Sequence, residues 1–241
     1  MLTSIRSLTA ATLLASTLLA APAFAQDESD ITVSGSVALV SEYRFRGVDL
    51  SDSDPAIQGS IGVSHSSGLY VGTWASSLDE STGYGHTEID FYAGWKGEVT
   101  PGVTLDAGAT YYYYPNAVPG DFDVIEFYTK AGFGVGPASL TLGAAYSPKQ
   151  DSLDFGGPRD NVYVSADLGL GIPETPISLL AHAGYTDGAL TYTANSKAWD
   201  WSLGASAALG SGVSLGAAYT GVEGTGTFAD DAFVFTLSAG F

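Results

Sequence analysis

The chain has 241 residues, and 26 acidic against 8 basic side chains give it a formal net charge of −18. This acidity disfavours nucleic acid as a partner, because contacts to phosphates need lysine and arginine. The absence of cysteine excludes a small secreted domain held together by disulfides. After the N-terminal region, no segment approaches the roughly 20 unbroken apolar residues of a transmembrane helix.

The first 25 residues have the three parts of a cleaved export signal. Arg6 supplies the positive charge, residues 13–21 are mostly apolar, and Ala23 and Ala25 form a small-x-small cleavage pattern. We therefore predict a Sec-type signal peptide over residues 1–25, followed by a short periplasmic segment over residues 26–30. An uncleaved anchor is disfavoured because the apolar stretch is too short to span a bilayer.

From residue 31 onward, apolar and polar side chains alternate with a period of two, which is typical of β-strands with one oily face and one polar face. Clusters of turn-forming residues divide this alternation into twelve segments. They cover residues 31–47, 57–64, 69–76, 88–96, 103–114, 125–133, 139–147, 161–168, 177–185, 199–209, 213–220 and 231–241.

The first and last segments show what the two faces carry. In residues 31–47, apolar side chains that include Tyr43 and Phe45 face one way, whereas Glu42, Arg44 and Arg46 face the other. The last segment alternates large apolar residues with smaller or polar ones and ends on Phe241. Such a terminal strand would promote aggregation of a soluble protein unless it packed in a β-sandwich, but it suits contact with lipid.

The connections between the segments alternate strictly between long polar loops and short turns. Outer-membrane barrels have this arrangement, with short periplasmic turns, long extracellular loops and an even number of strands. We therefore predict an all-β fold, a transmembrane antiparallel up-and-down β-barrel of about 12 strands over residues 31–241. A soluble sandwich or a lipocalin-like barrel is the alternative, but neither explains the alternating connections.

The charged residues of the segments all fall on the polar face, which we expect to line the lumen. A lipid-facing Arg or Lys near the bilayer midplane would cost about 2–4 kcal/mol. These side chains either set the selectivity of a pore or form a salt-bridged plug. They are Glu42, Arg44, Arg46, Glu88, Asp90, Lys96, Asp106, Glu126, Lys130, Asp167, His182 and Asp200.

Two further features of the predicted lumen have two interpretations each. Arg44 and Arg46 could form a basic track with Lys96 and Lys130, or could pair with nearby carboxylates for stability. Inward aromatic rings could stack on solutes, or could fill the lumen by packing on glycines. These rings include Trp74, Tyr92, Tyr112 and Tyr128.

Nothing in the sequence indicates an enzyme or a cofactor. The three histidines are far apart, and His182 stands alone on the inward face, so a catalytic triad is not expected. The acidic run over residues 49–54 could bind calcium weakly, although a solvated loop is the simpler interpretation.

Several motifs together resemble the TorF-like porin family of proteobacterial outer-membrane proteins. They are SEYRFRGVDLS (41–51), GLYVGTWAS (68–76), TEIDFYAGWKG (87–97), YYYYP (111–115), AAYSP (144–148) and the terminal Phe241. The resemblance covers the mature chain and implies an outer-membrane barrel of presumed channel function, without a substrate. The terminal strand also resembles the signal read by the barrel-assembly machinery.

The sequence therefore predicts a cell outer-membrane protein, exported through the Sec pathway and embedded in outer-membrane lipid. Its expected function is passive diffusion of small polar solutes with a preference for cations, because the lumen and loops are acidic. The alternative is a non-conducting structural or adhesion barrel that uses its acidic extracellular loops.

Overall fold

The computed structural model describes residues 30–118, 120, 122–191, 193–224 and 228–241. The predicted signal peptide, and the predicted periplasmic segment apart from Asp30, lie outside the described residues. The strands are β1 (Ile31–Val40), β2 (Arg44–Phe45), β3 (Val48–Asp49), β4 (Ala56–His65), β5 (Leu69–Ser77), β6 (Thr87–Thr100), β7 (Val103–Tyr113), β8 (Val124–Val135), β9 (Ala138–Ser147), β10 (Asn161–Gly171), β11 (Ile177–Gly188), β12 (Lys197–Gly210), β13 (Val213–Val222) and β14 (Ala232–Gly240).

Every strand except β2 and β3 belongs to one closed antiparallel barrel. Each barrel strand pairs with its neighbours along the chain, and β14 closes the barrel on β1, with Leu39 opposite Leu237. At the seam, the backbone amides of Gly35 and Phe241 each donate to the other's carbonyl, at 3.1 and 3.0 Å. The prediction of about 12 strands in a transmembrane up-and-down barrel is confirmed.

The two faces of the barrel wall differ as the alternation predicts. Large apolar side chains point outward and stay exposed, as at Ile57, Leu203 and Phe233. Their strand neighbours point inward, where polar and small residues collect. The described residues include two one-turn 3-10 helices, Glu80–Thr82 and Asp151–Leu153, and none of their helices is long and apolar enough to cross a membrane.

The connections place the start of β1, the end of β14 and the short turns at one end of the barrel. The short turns are residues 66–68, 101–102, 136–137, 172–176 and 211–212. The opposite end carries the six long connections, residues 41–55, 78–86, 114–123, 148–160, 189–196 and 223–231. In outer-membrane barrels the long connections are the extracellular ones.

The first strand is shorter than the sequence predicts. The alternation suggested a strand over residues 31–47, but β1 ends at Val40, and residues 41–55 fold back into the barrel around the hairpin β2–β3. Arg46 and Gly47 form its two-residue turn with φ values of 50° and 78°. Positive φ at both positions is the requirement of a type I′ turn, the geometry that suits tight hairpins.

We call residues 41–55 the inward hairpin. Its core is buried: Tyr43 is 2% exposed, Asp49 1% and Leu50 5%. Val48 and Leu50 join Val40 and Val222 in an apolar cluster at the long-loop end. The prediction that Glu42, Arg44 and Arg46 lie on strand one was therefore wrong. The apolar residues that alternate with them in the sequence pack in the lumen and do not face lipid.

The outward face yields a stability prediction. Leu203 is 68% exposed and lies halfway along β12. Leu203→Arg should lower the free energy of unfolding by about 2–4 kcal/mol, because it places a charge in hydrocarbon. Urea titration in lipid vesicles, followed by heat-modifiable gel migration, measures the change. Leu203→Ala is the control and should cost much less, and equal stability of the Arg variant and the wild type would contradict the lipid-facing assignment.

Candidate functional site

The inward hairpin reaches across the lumen through Arg46. Its Nη2 donates to Oε1 of Glu126 on β8 at 2.6 Å. Its guanidinium also lies over the ring of Tyr163 on β10, 4.0 Å from the ring centroid. The Arg46 side chain is 10% exposed and that of Glu126 is 4% exposed, so this ion pair is shielded from solvent and fixes the hairpin tip to the far wall.

Arg44 fixes the base of the same hairpin. Its Nε donates to Oε2 of Glu42 at 2.9 Å, and its Nη1 donates to the carbonyl of Asp230 at 2.7 Å. The backbone adds two further attachments, from the Asp49 amide to the Phe228 carbonyl and from the Asp79 amide to the Leu50 carbonyl. The inward hairpin is thus bonded to the two long connections that flank it.

The hairpin packs against the barrel wall through aromatic rings and through a close backbone approach at a glycine. Tyr43 packs on Trp74 with ring centroids 5.4 Å apart, and Phe45 packs edge-on against Tyr112 at 5.8 Å. Burial and the nearby carboxylates raise the pKa of Tyr43, so its phenol stays protonated. A Cβ on Gly47 would lie 2.6 Å from the Gly221 carbonyl oxygen, so only glycine fits there.

Glu88 and Asp90 form a buried acidic pair beside the hairpin. Glu88 is 1% exposed and Asp90 is 7% exposed. One carboxylate oxygen of each, Glu88 Oε2 and Asp90 Oδ1, has no hydrogen-bond partner within the part of the chain that the structure describes. No basic side chain of that part forms an ion pair with either residue. A cation between them would relieve their mutual repulsion.

A second network surrounds His182 on β11. Its Nδ1 lies 2.6 Å from Asp167 Oδ1, and its Nε2 lies 2.9 Å from Asp200 Oδ1. The Tyr163 hydroxyl contacts Nε2 at 2.9 Å and donates to Asp200 at 3.1 Å. The expectation that His182 stands alone is wrong, because strand register places Asp167 directly opposite it. With a carboxylate at each ring nitrogen, the histidine has no free nitrogen to activate a nucleophile.

Tyrosines fill the middle of the barrel. The Tyr70 hydroxyl donates to Asp106 at 2.5 Å and also contacts the Tyr128 hydroxyl. Lys130 lies over the Tyr128 ring, 5.4 Å from its centroid. Tyr92 covers Gly72, where a Cβ would collide with the ring. These rings therefore rest on glycines of adjacent strands.

The structure places the predicted lumen residues in three groups along the barrel. The hairpin level holds Glu42, Arg44, Arg46, Trp74, Glu88, Asp90, Tyr112 and Glu126, the middle level holds Tyr92, Lys96, Asp106, Tyr128 and Lys130, and the histidine network holds Asp167, His182 and Asp200. Arg44 and Arg46 are neutralised by carboxylates and do not form a basic track with the lysines. The predicted pairing with Glu42 is observed, whereas pairing with Glu88 or Asp90 is not.

Sequence reasoning missed two anchors of this site. Asp49 was read as part of a solvated acidic loop, but it is buried and accepts backbone hydrogen bonds from Ser51 and Ser53 at 2.9 and 2.7 Å. Asp230, in the connection before β14, accepts a hydrogen bond from Arg44 Nη1 through its backbone carbonyl. Among the described residues, no group of three or more His, Cys, Asp or Glu could hold a metal ion. The Arg-Gly pair at 46–47 was the available signal for a hairpin turn.

Comparisons with known proteins agree with this architecture. The model of a family described as "Bacterial protein of unknown function (Gcw_chp)" matches residues 24–241. No curated protein sequence matches the chain significantly. The solved NanC porin is similar with a TM-score of 0.57 and 8% identity, covering 87% of this chain and 98% of that one.

Two further solved structures share the fold. The KdgM porin has a TM-score of 0.56 at 8% identity over 86% of this chain and 98% of its own. The COG4313 outer membrane channel from Pseudomonas putida F1 has a TM-score of 0.56 at 12% identity over 91% and 98%. At these identities the likeness shows the fold alone, a closed antiparallel β-barrel.

The ion pair of Arg46 with Glu126 gives a second prediction. Arg46→Met leaves the Glu126 carboxylate buried and unpaired, a change that costs about 3–5 kcal/mol. The hairpin should then undock, and hydrogen exchange at the Asp49 and Leu50 amides should accelerate by about 100-fold or more. Mass spectrometry of the exchanged protein in nanodiscs measures this rate.

Two variants control this experiment. Arg46→Met combined with Glu126→Gln removes both charges and should restore most of the protection. Arg159→Met removes an exposed pair with Asp151 and Asp154 and should leave exchange unchanged. Unchanged exchange in Arg46→Met alone would show that this ion pair does not hold the hairpin.

Proposed function

The chain belongs to the Gcw_chp family of bacterial proteins of unknown function, and we propose that it is an outer-membrane channel for passive diffusion of small polar solutes. The observation that carries the proposal is the barrel's inner wall, where charged side chains occur at every level while the outer wall is apolar. Such a wall suits water and ions, not a packed apolar core. The narrower resemblance to TorF-like porins remains a prediction.

We further propose that the channel favours cations. Glu88 and Asp90 are buried without a partner cation among the described residues. Arg44 and Arg46 are already neutralised, so they offer little attraction to anions. Because the Glu88 and Asp90 side chains are both buried, they act on a cation in the lumen through their electric field and not by direct contact, and acidic groups in a pore wall favour cations.

A second candidate is a non-conducting structural or adhesion barrel. The observation that favours it is the inward hairpin, which is held by ion pairs at its base and at its tip and fills part of the lumen. The acidic long loops would then contact the environment or a partner. An enzyme is not proposed, because the described histidine network leaves no free base.

The cellular setting is part of the same proposal. Export through the Sec pathway, residence in outer-membrane lipid and recognition by the barrel-assembly machinery follow from the predicted signal peptide and from Phe241. Phe241 directly follows β14 at the seam, and the residue is 63% exposed. This position leaves the ring accessible to an assembly factor before closure.

Reversal potential in planar bilayers tests the cation preference. Under a salt gradient the wild type should be cation-selective, and Glu88→Gln with Asp90→Asn should shift the reversal potential toward zero because the uncompensated charge is gone. Asp52→Asn with Asp54→Asn removes the same number of charges from exposed positions of the connection over residues 41–55 and should have a smaller effect. An anion-selective wild type would overturn the proposal.

Removal of the inward hairpin separates the two candidates. Val40 lies opposite Ala56 in the β1–β4 pair, so a short Asn-Gly turn can replace residues 41–55 without opening the barrel. A channel that the hairpin narrows should conduct in the wild type and conduct more in this variant. A silent wild type with a conducting variant supports the non-conducting candidate. A similar shortening of residues 189–196 is the control, because Asp187 pairs with Lys197.

A further inference from the structure

The middle level of the lumen holds three charged side chains that do not pair with one another. Lys96 on β6, Asp106 on β7 and Lys130 on β8 lie directly opposite each other in the strand register, and we call them the charged row. Opposite charges in such positions are normally close enough to interact across the strands. Among the described residues, however, neither lysine forms an ion pair.

The charged row is open to the lumen. Lys96 is exposed, and Asp106 and Lys130 are half-buried. The Lys130 ammonium and Asp106 Oδ2 have no hydrogen-bond partner within the part of the chain that the structure describes, yet both atoms keep accessible surface. They differ in this respect from Glu88 Oε2 and Asp90 Oδ1, which are buried. A solute in the lumen can therefore touch charges of both signs here.

Two tyrosines keep the charges of the row apart. The Tyr70 hydroxyl donates to Asp106 Oδ1 at 2.5 Å, whereas the Lys130 ammonium lies over the Tyr128 ring, 5.4 Å from its centroid. The two tyrosine hydroxyls also contact each other. A Cβ on Gly94 would lie 2.5 Å from the Tyr70 hydroxyl oxygen. The Tyr70 ring thus rests on the barrel wall and leaves the lumen beside the charges free.

The wall opposite the charged row carries short hydroxyl side chains. In the closed barrel, β12, β13 and β14 each lie six strands away from β6, β7 and β8. Near the short-turn end they present Ser206, Ser214 and Ser238 inward, and the inward side chains of β13 and β14 carry no charge along their length. The Ser214 and Ser238 hydroxyl oxygens lie 2.7 Å apart. Such short side chains do not reach across the lumen, so they leave room for a solute next to the row.

The charges around this space balance. The charged row has one excess positive charge. In the nearby network around His182, an aspartate accepts at each ring nitrogen, so both nitrogens carry a proton and the ring is cationic. Two aspartates around one cation leave that network with one excess negative charge. A lone anion or cation therefore gains little from the whole set, whereas a solute with both charges gains from each.

We propose that the charged row binds small zwitterions, molecules that carry an ammonium group and a carboxylate on one short chain. The carboxylate of the solute pairs with the ammonium groups of Lys96 and Lys130, and its ammonium pairs with Asp106 Oδ2. The inference rests on the proposed channel function, for which it names a solute class, but binding itself needs no conduction. A zwitterion has no net charge, so its binding is compatible with a preference for cations among ions.

Ligand-observed NMR on the protein in nanodiscs tests the inference with four probes of matched size. β-Alanine carries both charges, propanoate only the negative one, propylammonium only the positive one, and propanamide neither. β-Alanine should bind saturably and more tightly than each of the other three. Tighter binding of propanoate or propylammonium would show a site for simple ions, and equal binding of all four would show no site; each result overturns the proposal.

Two variants should shift the preference in opposite directions. Asp106→Asn removes the partner of the solute ammonium, so the affinity for β-alanine relative to propanoate should fall by about 1.5- to 5-fold, the contribution of one accessible ion pair. Lys130→Met removes a partner of the solute carboxylate, so the affinity for β-alanine relative to propylammonium should fall by a similar factor. A general loss of structure cannot produce these opposite changes, and unchanged ratios in both variants would overturn the site.

Lys197→Met and Asp187→Asn are the matched controls. They remove the same two kinds of charge from an accessible ion pair of 3.1 Å at the long-loop end of β11 and β12. Both variants should leave the order of the four affinities unchanged. Heat-modifiable gel migration of every variant confirms that the barrel is folded.

The outcome is independent of conduction. A protein that prefers β-alanine as expected but is silent in bilayers retains the zwitterion site and loses the channel proposal. A protein that conducts but shows no preference for β-alanine retains the channel and loses the site.

Discussion

The structure depends on one constraint: within hydrocarbon, each backbone N–H and C=O group must find a partner in the protein. Strands satisfy it only when the sheet closes on itself, which the pairing of β1 with β14 achieves. Closure then sorts the side chains, because a period of two sends every second residue to lipid and the others to a shared interior. The apolar exterior at Leu203 and the polar interior at Glu126 are two results of the same closure.

Collecting polar side chains in this way creates an electrostatic problem in the lumen, where carboxylates outnumber basic groups. The inward hairpin supplies part of the missing positive charge: Arg46 pairs with the buried Glu126 of the wall, and Arg44 pairs with Glu42 within the hairpin. His182 lies between Asp167 and Asp200 and bonds to both carboxylates. Within the described part of the chain, no basic side chain pairs with Glu88 or Asp90, and the proposed cation preference rests on these two residues.

The sequence was sufficient for the barrel but not for its contents. Alternation and loop lengths predicted the strand number and the inward face, because both follow from local chemistry. The hairpin escaped prediction because Tyr43 and Phe45 continue the alternation of β1, and periodicity cannot distinguish a ring facing lipid from one packed on Trp74 or Tyr112. The partners of His182 depend on strand register, which the pattern of one strand does not fix.

The attachments of the inward hairpin couple two of the long connections to the lumen. The Leu50 carbonyl is bonded to the connection before β6, and Arg44 and Asp49 are bonded to the connection before β14. Movement of either connection is therefore transmitted to the hairpin in the lumen. A phage, an antibody or an inserted epitope tag that displaces residues 228–230 would pull directly on the hairpin, so tolerance to insertion should differ sharply among the six loops.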